Sequence, residues 1–364
     1  MSSKRNILIC PLEWGLGHAA RMIPLAVRLR ELGNNIIVGA GEEHLALFRK
    51  EMSGIGLIDF PGFKPGYSRY LPQYLALLLK TPLLLYHIIR EHSRLKKIIS
   101  ENKIDLVISD NRFGLWNKEV KTVYITHLQL IPLPKILFFL EFIGVFLHRA
   151  VIKRYDYCFI PDLPGDLNVS GRLAHGVRPP ANTRFIGILS RFTGIVPDEQ
   201  GNPAKFRHNT VILSGPEPQR GILREKLSEI LKDKEPLAVF LGGRPDRNSE
   251  AESRNNIIWY NHLRAPEMKA LITGSEGIIT RSGYTTIMEL ISLNCSALLI
   301  PTPGQTEQEY LASYLEEKGW FTSVTQKKLN AGISLPSVEP RWTDEIISQS
   351  RDLLDKALKE LLED

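Results

Sequence analysis

The sequence predicts an α/β protein of two doubly wound domains in tandem. Short β-branched runs alternate with helix-length amphipathic stretches, the rhythm restarts past the middle of the chain, and 364 residues exceed what one hydrophobic core usually organises. Strands separated by helix-length segments cannot be joined by hairpins, so parallel sheets with crossover helices are expected.

In the first half the candidate strands are NILIC (6–10), NIIVGA (35–40), GLIDF (56–60), DLVISD (105–110), TVYIT (122–126) and YCFIP (157–161). The second half repeats the pattern with TVILSG (210–215), LAVFLGG (237–243), NIIWYNHL (256–263), GIITRSG (277–283) and SALLIP (296–301). Between them GILSRFTGIVPDEQGNPAKFRHN (187–209) is rich in Gly, Pro and polar residues and poor in periodicity, which places a hinge near residue 190. The expected units are therefore 1–190, 191–342 and a tail, 343–364. That tail reads as a helix with Thr343 as N-cap, Asp344 and Glu345 in the first turn, and an apolar repeat through Ile347, Leu354 and Leu361.

Hydrophobic residues make up 43% of the chain and charged residues 24%, the balance of a soluble globular protein. Cys10, Cys158 and Cys295 lie far apart, with no CxxC and no Cys/His cluster, which points to a reducing compartment and no structural zinc. The apolar run near the start is too short for a signal peptide. No apolar run reaches the ~18–20 residues of a spanning helix, because Lys80, Lys135 and Glu141 interrupt the best candidates. The net charge of +6 suits phosphate-bearing or anionic partners, while no basic-aromatic interleaving argues for nucleic acid.

Two segments, 71–99 and 128–154, are strongly apolar and end in basic residues: Arg90, Arg94, Lys96 and Lys97 in one, Arg149, Lys153 and Arg154 in the other. Such helices either pack on the sheet as crossovers or lay an apolar face into a lipid headgroup region beside anionic lipid. The run Leu137-Phe138-Phe139-Leu140 is apolar all round, so it is either deeply buried or inserted.

The chemistry-bearing stretches lie where strands hand over to helices. GLGHAARM (15–22) follows the first strand. Gly15 and Gly17 permit close backbone approach, the helix start offers free N–H groups, and His18 lies at the edge where open α/β sheets bind ligands. A neutral imidazole there takes a proton from a substrate hydroxyl, and Asp110, ending DLVISD at the same edge, would orient it. In the second half RSGYTTIMEL (281–290) leads into a helix with the hydroxyls of Ser282, Thr285 and Thr286 at its start and Glu289 further along, which suits a diphosphate and a ribose diol. PTPGQTEQEYLASYL (301–315) gathers Gln305, Thr306, Glu307, Gln308 and Glu309, donors and acceptors of the kind sugar hydroxyls require.

Together, GLGH, RSGYTTIMEL and PTPGQTEQEYLASYL resemble the GT-B glycosyltransferases of family 28, the MurG-like enzymes. The resemblance implies two Rossmann-like domains facing a central cleft, with the C-terminal helix crossing back to the first domain. It implies a UDP-sugar held by the second domain and an acceptor entering from the first. Glu289 matches the family's ribose-binding glutamate, Ser282 and Gly283 its phosphate-facing turn, and Ser214 and Gly215 of SGPEPQR (214–220) its Ser/Gly phosphate contact. Gln308 and Glu309 fall where the family places a Gln-Gln pair on the sugar; the carboxylate of Glu309 is a departure that leaves the sugar open. Asn261, His262 and Leu263 would pass beside the base, and Arg220 is read here as a charge partner of the diphosphate. His18 matches the glycine-loop histidine, and Arg21 completes a GxGHxxR signature also found in related UDP-sugar hydrolases.

The expected activity is an inverting, metal-independent transfer of a sugar, in cell-envelope glycan synthesis, to a lipid-linked or other membrane-associated acceptor. No cofactor or metal is expected, in keeping with the absence of a DxD motif. The protein is expected to be cytoplasmic and peripheral at the cytoplasmic membrane face. A hydrolase or epimerase on the same architecture and a non-catalytic nucleotide-sugar-binding partner are the alternatives.

Overall fold

The computed structural model describes residues 4–64, 66, 79–196, 207–247, 251–340 and 342–363. The first domain runs β1 (Asn6–Cys10), α1 (Leu16–Glu31), β2 (Asn35–Ala40), α2 (Glu42–Glu51), β3 (Gly56–Asp59), α3 (Thr81–Asn102), β4 (Leu106–Asp110) and β5 (Lys121–Ile125). A 3-10 turn (Lys135–Leu140) then leads into α4 (Glu141–Ile152), followed by β6 (Tyr157–Ile160), α5 (Arg172–His175) and β7 (Thr183–Phe185). Its sheet has the order β3-β2-β1-β4-β5-β6-β7 with every pairing parallel.

The second domain repeats the plan with β8 (His208–Ile212), α6 (Gln219–Leu231), β9 (Leu237–Leu241), β10 (Glu252–Arg254), β11 (Ile257–Tyr260), α7 (Ala265–Thr273) and β12 (Gly277–Thr280). It continues through α8 (Tyr284–Ser292), β13 (Leu298–Leu299), α9 (Thr306–Glu317) and β14 (Thr322–Ser323) to the tail helix α10 (Glu345–Glu363). Its sheet order is β10-β11-β9-β8-β12-β13-β14, parallel except for the antiparallel edge strand β10.

Each sheet reverses its strand order once, between β1 and β4 in the first and between β8 and β12 in the second. At such a point the two flanking crossovers leave in opposite directions, so a crevice opens beyond the strand carboxyl ends. The strands that flank it are apolar on both faces, as helices on both sides of a sheet demand: Ile7, Leu8, Ile9, Val107, Ile108, Ile278 and Ile279 are buried. The sequence rhythm missed β7, β10 and β14, which are edge strands of two or three residues with no apolar alternation.

The segment after β7 is more embedded than its composition suggests. Ile188, Leu189 and Phe192 join the apolar core that continues into the second domain, and the Ser350 hydroxyl accepts from the Ile188 amide at 3.0 Å. Residues 197–206 of the expected linker lie outside the described residues.

The tail helix docks back on the first domain. Arg28 reaches Asp355 at 2.7 Å, Arg184 reaches Glu360 at 2.6 Å, and Arg5 donates to the Leu362 carbonyl at 2.8 Å. Its buried stripe is Ile346, Ser350, Ala357, Leu358 and Leu361, and the helix starts at Glu345, one residue later than the Thr343 cap reading placed it.

The two apolar segments do not lie fully against the sheet. In α3 only Glu91, Leu95, Ile98 and Ile99 are buried, whereas Leu83, Leu85, Tyr86 and Ile89 are exposed. Phe138 and Phe139 are exposed rather than buried, and Phe142 and Phe146 on α4 are 68% and 72% exposed. Both helices flank the 111–116 segment: the Ile88 carbonyl closes on Gly114, and the His148 ring sits 6.0 Å from that of Phe113. Residues 71–78 of the first segment lie outside the described residues.

Gly187 sits at φ +69°, and a Cβ there would collide with the Ser350 backbone. Gly187→Ala is therefore expected to cost on the order of 3 kcal/mol, the sum of left-handed backbone strain and overpacking, read as a lowered Tm.

Candidate functional site

The first crevice is built on a buried charge. Asp110, the last residue of β4, has a fully buried side chain, so its carboxylate must be compensated locally. Helix α1 supplies the compensation because it begins directly beyond the turn that follows β1, the neighbour of β4. Arg21 donates from Nε to Asp110 Oδ2 at 3.0 Å and from Nη2 to Oδ1, and His18 Nδ1 lies 2.9 Å from Oδ2. Arg21 Nη2 is also 2.8 Å from His18 Nδ1, so the three side chains form one cluster. With its proton on Nδ1, His18 donates to Asp110 and leaves the Nε2 lone pair as an acceptor.

Burial alone would raise the Asp110 pKa, but the Arg21 guanidinium and His18 outweigh it and hold the carboxyl below its ordinary range. Burial lowers the His18 pKa, and the Arg21 charge lowers it further against the partial opposition of Asp110. The imidazole is therefore neutral at physiological pH, with its side chain 21% exposed.

The second domain closes on this cluster. Gly17 is pressed against Thr285 at the start of α8: a Cβ on Gly17 would lie 3.1 Å from Thr285 Oγ1, and that hydroxyl donates to the Gly17 carbonyl at 3.0 Å. The glycine is thus required by close approach of the two domains. Gly15, at φ +154°, occupies the cap position of α1.

At the β8/β12 reversal the Ser214 hydroxyl stands over Gly283, about 4.0 Å from where its Cβ would be, so the two expected phosphate turns are neighbours, with Gly215 at φ +90° beside them. Ser282 donates to the Gln308 carbonyl at 2.8 Å. Thr286 is buried on α8, and Gln305 caps α9 without a side-chain bond of its own to the helix. The side chains of Gln308 and Glu309 are engaged by their own loop, accepting from the Thr302 amide and the Gly304 amide, each at 2.9 Å.

Arg220 is held by Glu217 at 3.1 Å and donates to the Gly243 carbonyl, lining a cavity of about 40 Å³ with Glu217, Arg244 and Trp259. Leu263 is buried in the core, leaving only its backbone for a ligand. His262 is buried 3.6 Å from Glu51 of α2, whose other oxygen accepts from the Ala265 amide. Glu289 is buried with Arg191 at 2.9 Å; burial raises its pKa, and Arg191 offsets only part of the rise.

The structure adds His127, Glu51 and Arg191, which the sequence reading left out, and gives Glu307 a partner. Glu307, at the start of α9, bonds His127 Nε2 at 2.9 Å across the domains, and the His127 ring stacks on Tyr284 at 4.0 Å. Burial would raise the Glu307 pKa, but His127, His18 and Arg21 together lower it. A signal existed: His127 follows β5 at the same sheet edge as Asp110, and Glu307 lies within the block already singled out. Glu51 and Arg191 carried no such signal, because a helix end and a linker arginine are ordinary features. Among the described residues no three His, Cys, Asp or Glu side chains are placed to hold a metal ion.

Residues 231–337 match the family model described as the glycosyltransferase family 28 C-terminal domain. The match lies within the second domain. A stretch of 98 residues, 26% of this chain, is 33% identical to the UDP-N-acetylglucosamine--N-acetylmuramyl-(pentapeptide) pyrophosphoryl-undecaprenol N-acetylglucosamine transferase of Desulforudis audaxviator, and it spans 26% of that protein's length.

Among solved structures, the glycosyltransferase SnogD from Streptomyces nogalater is similar over 100% of both chains, with a TM-score of 0.62 and 16% identity. The glycosyltransferase of kitacinnamycin is similar over 98% of this chain and 96% of its own, with a TM-score of 0.64 and 14% identity. The spinosyn rhamnosyltransferase SpnG, solved with thymidine diphosphate, covers 97% of this chain and 92% of its own, with a TM-score of 0.56 and 12% identity. These likenesses place both domains in the GT-B fold. The second domain contributes the turns at Ser214 and Gly283, of which only Gly283 lies within the matched residues, and the first domain contributes the His18 cluster.

The His18 cluster makes a prediction that needs no substrate. In NMR titration the His18 ring should titrate below the ordinary imidazole value of about 6.5. Arg21→Met removes a cause that lowers it and should move the midpoint up. Asp110→Asn removes a cause that raises it and should move the midpoint down.

Proposed function

We propose that the protein is an inverting, metal-independent glycosyltransferase that moves a sugar from a UDP-sugar to a lipid-linked or other membrane-associated acceptor. The observation that carries this reading is the meeting of the neutral His18–Asp110–Arg21 cluster with the turns of the second domain, across the Thr285–Gly17 hydrogen bond. The acceptor hydroxyl oxygen attacks the anomeric carbon, its proton passes to His18 Nε2, and the carbon–oxygen bond to the diphosphate breaks on the opposite face to release UDP. Asp110 steadies the imidazolium that forms, and it is already ionised. Amides and hydroxyls at 214–215 and 282–286 face the leaving diphosphate as fixed dipoles, and Glu289 and the 261–263 backbone hold the nucleoside.

The acceptor side is supported by the exposed faces of α3 and α4. Phe142, Phe146 and Ala150 line one row of α4, Ile143 and Leu147 a second, and exposed Lys153 and Arg154 follow the helix end. An apolar stripe with basic residues at its rim fits the surface of an anionic membrane. Among the described residues no helix is long and apolar enough to cross a membrane, so this contact would be peripheral.

UDP release from a panel of UDP-sugars, with and without a membrane lipid extract, tests the reading. Release should need the extract, survive chelation of divalent cations, and fall ~10²–10⁴-fold in His18→Ala. Release that needs no extract yet still depends on His18 would instead identify a hydrolase. Flotation with anionic liposomes at low salt tests the surface: wild type should bind, and the double substitution Phe142→Glu, Phe146→Glu should abolish binding.

A further inference from the structure

Three arginines are buried among the described residues, and two of them face a carboxylate: Arg21 meets Asp110, and Arg112 meets Glu91 at 3.1 Å. Arg281 is the exception. It directly follows β12, its side chain is wholly buried, and no described carboxylate comes within ion-pair distance. Its Nη1 donates to the carbonyls of Ile300 at 3.3 Å and Pro301 at 3.2 Å, its Nη2 donates to the Gln219 carbonyl at 2.9 Å, and its buried Nε has no partner. Burial pushes its pKa down to about 10, which still leaves it charged at neutral pH.

Neutral carbonyls orient a guanidinium but do not cancel its charge, and an uncompensated buried cation is costly. The three carbonyls show where that charge is directed. Gln219 opens α6 just past the SGPEP turn, Ile300 and Pro301 lead into the turn before α9, and Arg281 itself precedes Ser282 and Gly283 at the start of α8. One side chain therefore ties together the three loops at the carboxyl edge of the β8/β12 reversal. The α6, α8 and α9 N-termini, each with partial positive charge, open on the same edge.

We propose that Arg281 is the buried countercharge of the donor diphosphate, a positioning residue that holds the three loops and lends them its field without touching the ligand. The inference rests on the nucleotide-sugar reading above. As the glycosidic bond breaks, its electron pair moves onto the diphosphate and raises the negative charge there, so a fixed cation behind the turns is worth more in the transition state than in the ground state.

Calorimetric titration of the full chain with UDP and with uridine separates charge from architecture. In Arg281→Gln, UDP affinity should fall at least tenfold while uridine affinity stays within twofold; Arg281→Lys should retain most of the preference for UDP. Parallel weakening of both ligands in Arg281→Gln, or no change in either, overturns the role of Arg281. Wild type that binds neither ligand overturns the nucleotide-sugar reading itself, a distinct result. Should Arg281→Gln not fold, arginine-labelled wild type decides the question by NMR, its Arg281 Nε–H signal assigned by its loss in Arg281→Lys. UDP should shift that signal and uridine should not; equal shifts, or none, overturn the inference.

Discussion

The buried carboxylate of Asp110 is the constraint on which the rest of the first domain depends. A lone carboxylate at the end of a fully buried strand would cost several kcal/mol, so two cationic or polar partners must reach it. Both come from the first turns of α1, which fixes how that helix leaves β1 and why the connecting turn carries glycines. The same turn presents the Gly17 carbonyl to Thr285 of the second domain. Compensation of one charge thus sets the start of a helix, the orientation of an imidazole and a point of contact between domains.

The remaining cleft follows a similar logic, with acid and base drawn from opposite sides. His127 meets Glu307, and Glu51 meets His262, each pair joining one residue of either domain. Arg191, in the segment that connects the domains, meets Glu289. Apart from Glu307, these side chains are at most a tenth exposed, yet the Glu51–His262 distance of 3.6 Å exceeds a good hydrogen bond. A loosely satisfied buried charge is uncommon in a purely structural core.

The exposed apolar helix α4 connects to the cluster through short polar links. Asn111, directly after Asp110, accepts from the Tyr124 hydroxyl at 3.2 Å, and Tyr124 lies 3.0 Å from His148 Nε2 on α4. The helix whose outer face is apolar is therefore anchored on its inner face to the residue beside the buried acid. Exposure outside and fixed polar contacts inside place a hydrophobic surface next to the buried His18–Asp110–Arg21 cluster.

Local pattern alone determined the two doubly wound domains, most strand positions, the glycine turn with its histidine, and the donor-side helix starts. These are legible because a buried parallel strand needs an apolar run and a ligand turn needs small residues, whatever lies elsewhere in the chain. The three edge strands were not legible, since two or three residues at a sheet margin need no apolar alternation. Only the tertiary structure decided that Arg21 shares Asp110 with His18, that Gln308 and Glu309 serve their own loop while Glu307 bonds His127 of the other domain, and that α3 and α4 leave aromatic and aliphatic side chains uncovered. The charge state and exposure of those side chains depend on neighbours tens to hundreds of residues away, and a one-dimensional pattern does not carry that information.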